Sequence, residues 1–346
     1  MSYYEPPVYL DGIGPVYYKK ICLGSKKGGP DMALTRRDFL AKASVGIAGL
    51  PLLSEVAAAQ TKGKIGYMKI VDNASLFMAA EKGFFKKEGL ELEPVPMVGG
   101  AAIAPAVASG DLQFGWTNVI SLYQAHVGGF DFKFLSGGAT NVKGSNDTHA
   151  IQVAKDSAIK TAKDLEGKTV AVNTLNNIVH LMALAWIDKN GGNSGKVKFV
   201  EIPFPQMEAA LTSGRVDAAS THEPFVGASV GKGLTRVLAH NWGDVVPKFL
   251  IASWFVSEKW LQKNKETAQK FIRAINQGID AINADVPGTR AVLAKWTGLD
   301  PDLAKKVAMP VFEKGISEKD LQVTIDLSHK HKLIPRAFKA AEVISR

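Results

Sequence analysis

From Lys64 onward, short apolar runs alternate with stretches of helical periodicity. Lys64–Ile70 predicts a strand, and Ser75–Lys82 a helix ended by Gly83. Glu91–Val95 follows as a strand, Ala101–Ser109 as a helix stopped by Gly110, Gln113–Trp116 as a strand, Ile120–Val127 as a helix and Phe132–Leu135 as a strand. The scheme restarts with a strand at Thr169–Val172 and a helix at Ile178–Asn190, closed by Gly191 and Gly192. Val197–Ile202 is then a strand, Gln206–Ser213 a helix stopped by Gly214, and Val216–Ser220 and Thr235–Leu238 are strands. Such alternation implies a mainly parallel sheet covered on both faces. After a strand at Phe249–Val256 the chain turns helical, around Lys265–Ala284, Thr289–Trp296, Asp302–Ala308 and Ser317–His329. The first of these carries Phe271, Ile272, Ile275, Ile279 and Ile282 at helical spacing.

The restart is an internal repeat. A shift of about 104 residues lays Ala106–Asn118 on Ala210–His222, Lys64 on Lys168, Asn73 on Asn177, and Met78-Ala79 on Met182-Ala183. Two similar α/β units in tandem imply two lobes. Ligands of open α/β sheets sit beyond the carboxyl ends of the strands, so both lobes would line one cleft. Closure of such a clamshell buries a ligand between them. The tail after Phe249 is expected to return to the first lobe, with chain crossings near Thr148–Val153 and Phe249–Trp254 as the hinge.

The 346 residues are 46% hydrophobic and 22% charged, an ordinary globular composition with length for roughly two domains. Net charge is +9, but the basic residues are scattered. That argues against a nucleic-acid reader and gives only a mild bias toward anionic ligands or an acidic partner.

Thr35–Phe39 reads TRRDF, Ala43–Leu53 is apolar and small, and Ala57-Ala58-Ala59 follows. The order resembles a twin-arginine export signal with Arg36 and Arg37 as the pair. Residues 32–59 are therefore expected to be removed, and residues 1–31 to be an upstream extension ahead of Met32. The mature chain keeps 35 basic and 28 acidic side chains, about +7 net. It also loses Cys22, the one cysteine, and with it any thiol nucleophile, disulfide or thiolate metal site. No spacing of His, Asp and Glu assembles a metal site or a catalytic set. The expectation is a periplasmic protein without metal or cofactor, monomeric and not an enzyme.

The repeat nominates ligand contacts at strand-to-helix turns. They are Asp72 and Asn73, Thr117 and Asn118, Thr174, Asn176 and Asn177, and His222 and Glu223, with Gly100 and Ala101 as a fifth turn. Helix N-termini offer free N–H groups and partial positive charge. Plain N-capping explains Asn73, Thr117, Asn176 and Asn177 equally well, and a helix-initial Glu fits the macrodipole alone. Trp116 and Trp254 are candidates for an aromatic wall, or for the core at a strand end.

Three stretches are similar to one known family. Phe77–Leu92 (FMAAEKGFFKKEGLEL), Asp164–Val172 (DLEGKTVAV) and Ala210–Ala218 with Glu223-Pro224 resemble nitrate/sulfonate/taurine-type ABC transporter solute-binding proteins, over roughly residues 63–335. The resemblance implies a periplasmic-binding-protein type II fold, with 60–148 plus 252–346 as lobe 1 and 149–251 as lobe 2. It implies a small anion or polar organic ligand in the interlobe cleft, delivered to an ABC permease and ATPase. The run Asn173–Asn177 departs from the Gly/Ser-rich turn of sulfonate binders. Desulfinase and pyrimidine-synthase relatives on this fold depend on cysteine, so an enzyme or sensor is the weaker alternative.

Overall fold

A computed structural model describes residues 60–145 and 147–345. The leader, with Cys22 and the Arg36-Arg37 pair, lies outside the described residues. The first sheet contains β1 (Thr61–Tyr67), β2 (Leu90–Pro96), β3 (Phe114–Asn118) and β4 (Phe132–Ser136). The second contains β6 (His149–Ala154), β7 (Thr169–Val172), β8 (Lys198–Glu201), β9 (Ala218–His222) and β10 (Thr235–Ala239). β5 (Ala139–Val142) and β11 (Lys248–Leu250) pair antiparallel outside both sheets. β12 (Ala252–Ser257) is the fifth strand of the first sheet, and β13 (Val311–Phe312) joins β5.

The two sheets have one topology. Their orders are β2-β1-β3-β12-β4 and, read from the other edge, β8-β7-β9-β6-β10. Within each, the first three strands are parallel, and the fourth, β12 or β6, is antiparallel to both its neighbours. The sheets are thus mixed, with four of five strands running one way. β3 and β9 stand 104 residues apart end to end, the same shift that aligns the sequence with itself.

The reversed strands explain where sequence patterning fell short. Phe249–Val256 is apolar but for Ser253 and reads as one strand, but it breaks at Ile251 into β11, which crosses between the sheets, and β12, which enters the first. The first crossing strand is β5, while residues 149–154 form β6 inside the second sheet. β9 spans Ala218–His222, two residues later than the strand that Val216–Ser220 predicts. The helix expected at Asp302–Ala308 is the short turn Pro301–Ala304, capped by Asp300 Oδ1 on the amides of Asp302 and Leu303.

The C-terminal helices pack on the first sheet unit. Helix Lys265–Ala284 presents Phe271 to Phe114, stacked at 4.0 Å, and to Trp254, edge-on at 5.7 Å. Gly278 lets this helix meet the start of helix Ala74–Glu81 backbone to backbone. A Cβ there would collide with the Ser75 carbonyl oxygen and lie 3.2 Å from its carbon. Trp296 stacks on Phe77 at 4.8 Å and fixes helix Val286–Thr297 on the same unit.

Candidate functional site

Both sheets aim the carboxyl ends of their parallel strands at each other. Past β1 the chain makes a short 3-10 turn, Val71–Asn73, before helix Ala74–Glu81. Asn73 stands in the cap position, yet its side chain bonds no backbone amide. Both its amide atoms, both Asp72 carboxylate oxygens and the Ser75 hydroxyl are buried without a hydrogen-bond partner among the described residues. Buried polar groups are nearly always paired, so a cluster of orphans marks a place where a partner from outside the chain belongs.

At the end of β3 the Thr117 hydroxyl is a further orphan, with the residue fully buried. It is covered by the start of helix Gly100–Ser109, where a Cβ on Gly100 would overlap Thr117 Oγ1 and lie 2.8 Å from its Cβ. Gly100 is therefore required for that helix start to approach β3. Its neighbour Ala101 is exposed. Asn118 is a cap, accepting from Ser121 N at 3.1 Å.

In the second unit the turn after β7 is internally saturated. Asn177 Oδ1 accepts from His180 N at 3.1 Å, and its amide nitrogen donates to Asn173 Oδ1 at 2.8 Å. Asn176 is exposed, adopts the left-handed φ of 60° that Asn tolerates, and donates its N–H to His180 Nδ1 at 2.9 Å. Burial lowers His180 to about 4, so this imidazole is neutral and its Nδ1 is an acceptor. Thr174 is half-buried beside Gly99 of the first unit.

β9 ends at His222, buried with Glu223. β6 runs beside it and pairs His149 with His222 in register. His149 stacks on Trp242 at 4.2 Å and shares a 2.9 Å hydrogen bond between Nε2 and Ser220 Oγ, leaving Nδ1 unpartnered among the described residues. Burial, then the neighbouring His222 and His240, hold its pKa well below the usual histidine value. Asn241 buries both amide atoms and Trp242 its indole N–H, again without partners among the described residues. Glu223 is pushed up by burial, against the N–H groups of Gly227 at 2.9 Å and Ala308 at 3.3 Å that its carboxylate accepts.

The units touch through pseudo-symmetric contacts. Asn118, ending β3, accepts from Ile178 N of the second unit at 3.3 Å. His222, its repeat partner, ends β9 and brings Nε2 to 3.4 Å from Asp72 Oδ2 of the first unit. Neither Asp72 oxygen is in hydrogen-bonding geometry with that ring. His222 Nε2 also faces Thr148 Oγ1 at 3.3 Å, while Nδ1 faces Glu223 O at 3.1 Å. Burial raises the Asp72 pKa, and the His222 charge opposes this. Beside the cluster lies a pocket of about 260 Å³ lined by Phe204, Thr221, Pro224 and Phe225 of the second unit and by Gly298 and Leu299.

Of the residues nominated from sequence, Asp72, Asn73, Gly100, Thr117, His222 and Glu223 are buried at the facing strand ends. Asn118 and Asn177 serve as helix caps, Thr174 is half-buried, and Ala101 and Asn176 face solvent. Trp116 and Trp254 are register partners on the face that carries Phe114 and Phe271, so they belong to the core. The aromatic group at the strand ends is Trp242. Sequence reasoning missed it together with His149 and Asn241, because only the β6–β9 pairing brings them to His222.

Residues 71–286 match the model of the family described as NMT1/THI5 like. The chain belongs to this NMT1/THI5-like family. Its relatives are periplasmic solute-binding proteins of ABC importers. The NMT1/THI5-like chain is 25% identical over 242 residues to a protein of Brachyspira hyodysenteriae that carries the name of an ABC transporter periplasmic binding protein, covering 67% of this chain and 68% of that one. It is 27% identical over 213 residues to the taurine-binding periplasmic protein of Escherichia coli, covering 60% and 61%. In structure it is similar to the alkanesulfonate-binding protein SsuA of Xanthomonas axonopodis bound to MOPS. That likeness has a TM-score of 0.73 at 23% identity, over 84% of this chain and all of that one. This is the periplasmic-binding-protein fold that the family resemblance implies.

Proposed function

We propose that this chain is the extracytoplasmic receptor of an ABC importer, exported by the twin-arginine route, and that it grips one small polar solute between its lobes. The family and the relatives support the importer role. The observation that carries the site is the set of orphaned polar atoms on Asp72, Asn73, Ser75, Thr117, His149 and Asn241. Each unmet group costs about 1–3 kcal/mol in the closed chain, and a solute that satisfies several offsets that cost. Lobe closure then does the work of recognition, and release to a permease and its ATPase requires only reopening at the β5–β11 ladder. A monomer suffices for this. No step of catalysis is assigned, since the named relatives are binding proteins.

The test is a solute screen by thermal shift on the full chain, where a ligand at 100 times Kd adds about 2.7 kcal/mol. The hit is then titrated against the Asn73→Ala/Thr117→Ala double variant. Loss of binding is expected. Undiminished affinity in that variant would place the site elsewhere.

A further inference from the structure

We infer that this cleft takes a small solute presenting N–H donors, as a protonated amine or an amidine-type nitrogen base, rather than a small oxyanion. The inference rests on the receptor reading above and names the class of solute for the same site. Its first support is the charge inventory. Among the described residues, the buried acids are Asp72, Glu223 and Asp320, and no Lys or Arg is buried. Asp72, 1% exposed at the facing strand ends, offers two carboxylate oxygens with no donor in hydrogen-bond geometry. An ionised carboxylate only accepts, and two N–H groups of one planar ligand match its two oxygens as a bidentate pair. An oxyanion is also acceptor-only and would bring a second negative charge against Asp72, which only the His222 ring at 3.4 Å faces and no buried Lys or Arg among the described residues offsets.

The second support comes from the amides an oxyanion would need. Helix N-termini bind anions through free N–H groups. At the Ile178 helix and the turn before it, four of the amides already have acceptors within the chain. Leu175 N donates to Glu201 Oε1, Asn176 N to His180 Nδ1, Ile178 N to Asn118 Oδ1 and His180 N to Asn177 Oδ1. Glu223 binds two further amides, those of Gly227 and Ala308. The groups left unmet around Asp72 include the Asn73 amide and the Thr117 hydroxyl, which accept from a ligand as readily as they donate.

The experiment is calorimetric titration of the full chain, wild type and Asp72→Asn, with benzamidine, propylammonium, tetramethylammonium, nitrate and ethanesulfonate. Benzamidine or propylammonium is expected to bind the wild type. Asp72→Asn should weaken that binding at least about tenfold. Its unliganded melting temperature should be equal or higher, which excludes misfolding as the cause. Tetramethylammonium, a cation without N–H, should not bind. Nitrate or ethanesulfonate binding that persists in Asp72→Asn overturns the inference, as does failure of both N–H probes. An oxyanion whose binding is lost in Asn73→Ala/Thr117→Ala removes only the solute class and leaves the receptor reading standing. Binding that survives this double variant removes the receptor site as well.

Discussion

Replacing Thr117 by Val should make the unliganded protein more stable and the liganded one weaker. Val keeps the shape of Thr and puts a methyl in place of the hydroxyl, which is buried under the Gly100 helix start with no partner among the described residues. An unmet buried hydroxyl costs about 1–3 kcal/mol. In a protein of this size 1 kcal/mol corresponds to about 2–4 °C in melting temperature. The unliganded Thr117→Val protein should therefore melt at least about 2 °C above wild type. If the hydroxyl meets the solute, the variant loses one neutral hydrogen bond, about 0.5–1.5 kcal/mol, so Kd rises about two- to twelvefold. Scanning calorimetry with and without solute reads both effects, which have opposite signs. A lower melting temperature for the unliganded variant would mean the hydroxyl already has a structural partner. An unchanged Kd would mean that it never meets the solute.

Acid should loosen the turn after β7 through His180. Its folded pKa of about 4 lies below the unfolded value near 6.5, so the unfolded chain binds the proton first and stability falls as pH drops from 6.5 toward 4. The slope is at most about 1.4 kcal/mol per pH unit. His180→Phe should flatten part of it in urea titrations at stepped pH, and an identical slope in the variant would refute the assignment. Gly278→Ala should cost about 1–3 kcal/mol, because the new methyl meets the Ser75 carbonyl rather than a movable side chain. Since Ser75 stands two residues after Asn73 in the same orphan cluster, solute affinity should fall as well, and an unchanged urea midpoint would show that the two helices slide apart freely.

Much of this was legible in the chain because the fold repeats itself. The 104-residue shift locates β3 and β9 and therefore the residues that end them. Strand-to-helix turns were also legible, because Gly and Asn punctuate them. What the residues could not say is which Asn would cap and which would stand free. Asn177 and Asn118 bond the amides three residues on, whereas Asn73, in a similar local sequence, bonds nothing. The difference is tertiary, since the 3-10 turn at Val71–Asn73 precedes its helix with no counterpart after β7. The antiparallel members escaped for the same reason. β6 has no parallel partner and no helix of its own, so its pairing with β9, and the placing of His149 and Trp242, depends on contacts across more than seventy residues.

β11 of the β5–β11 ladder passes into β12 across Ile251 alone, while β5 precedes β6 by six residues, and β6 and β12 are the reversed strands of their sheets. β6 is bonded along its length to β9, and β12 to β3, so the chain that swivels is hydrogen-bonded neighbour to the strands bearing His222 and Thr117. If the lobes close as proposed, a twist of the ladder would reach Thr117 most directly, through Ile251 and β12, and a residue inserted into β12 would move the fulcrum and that strand end together.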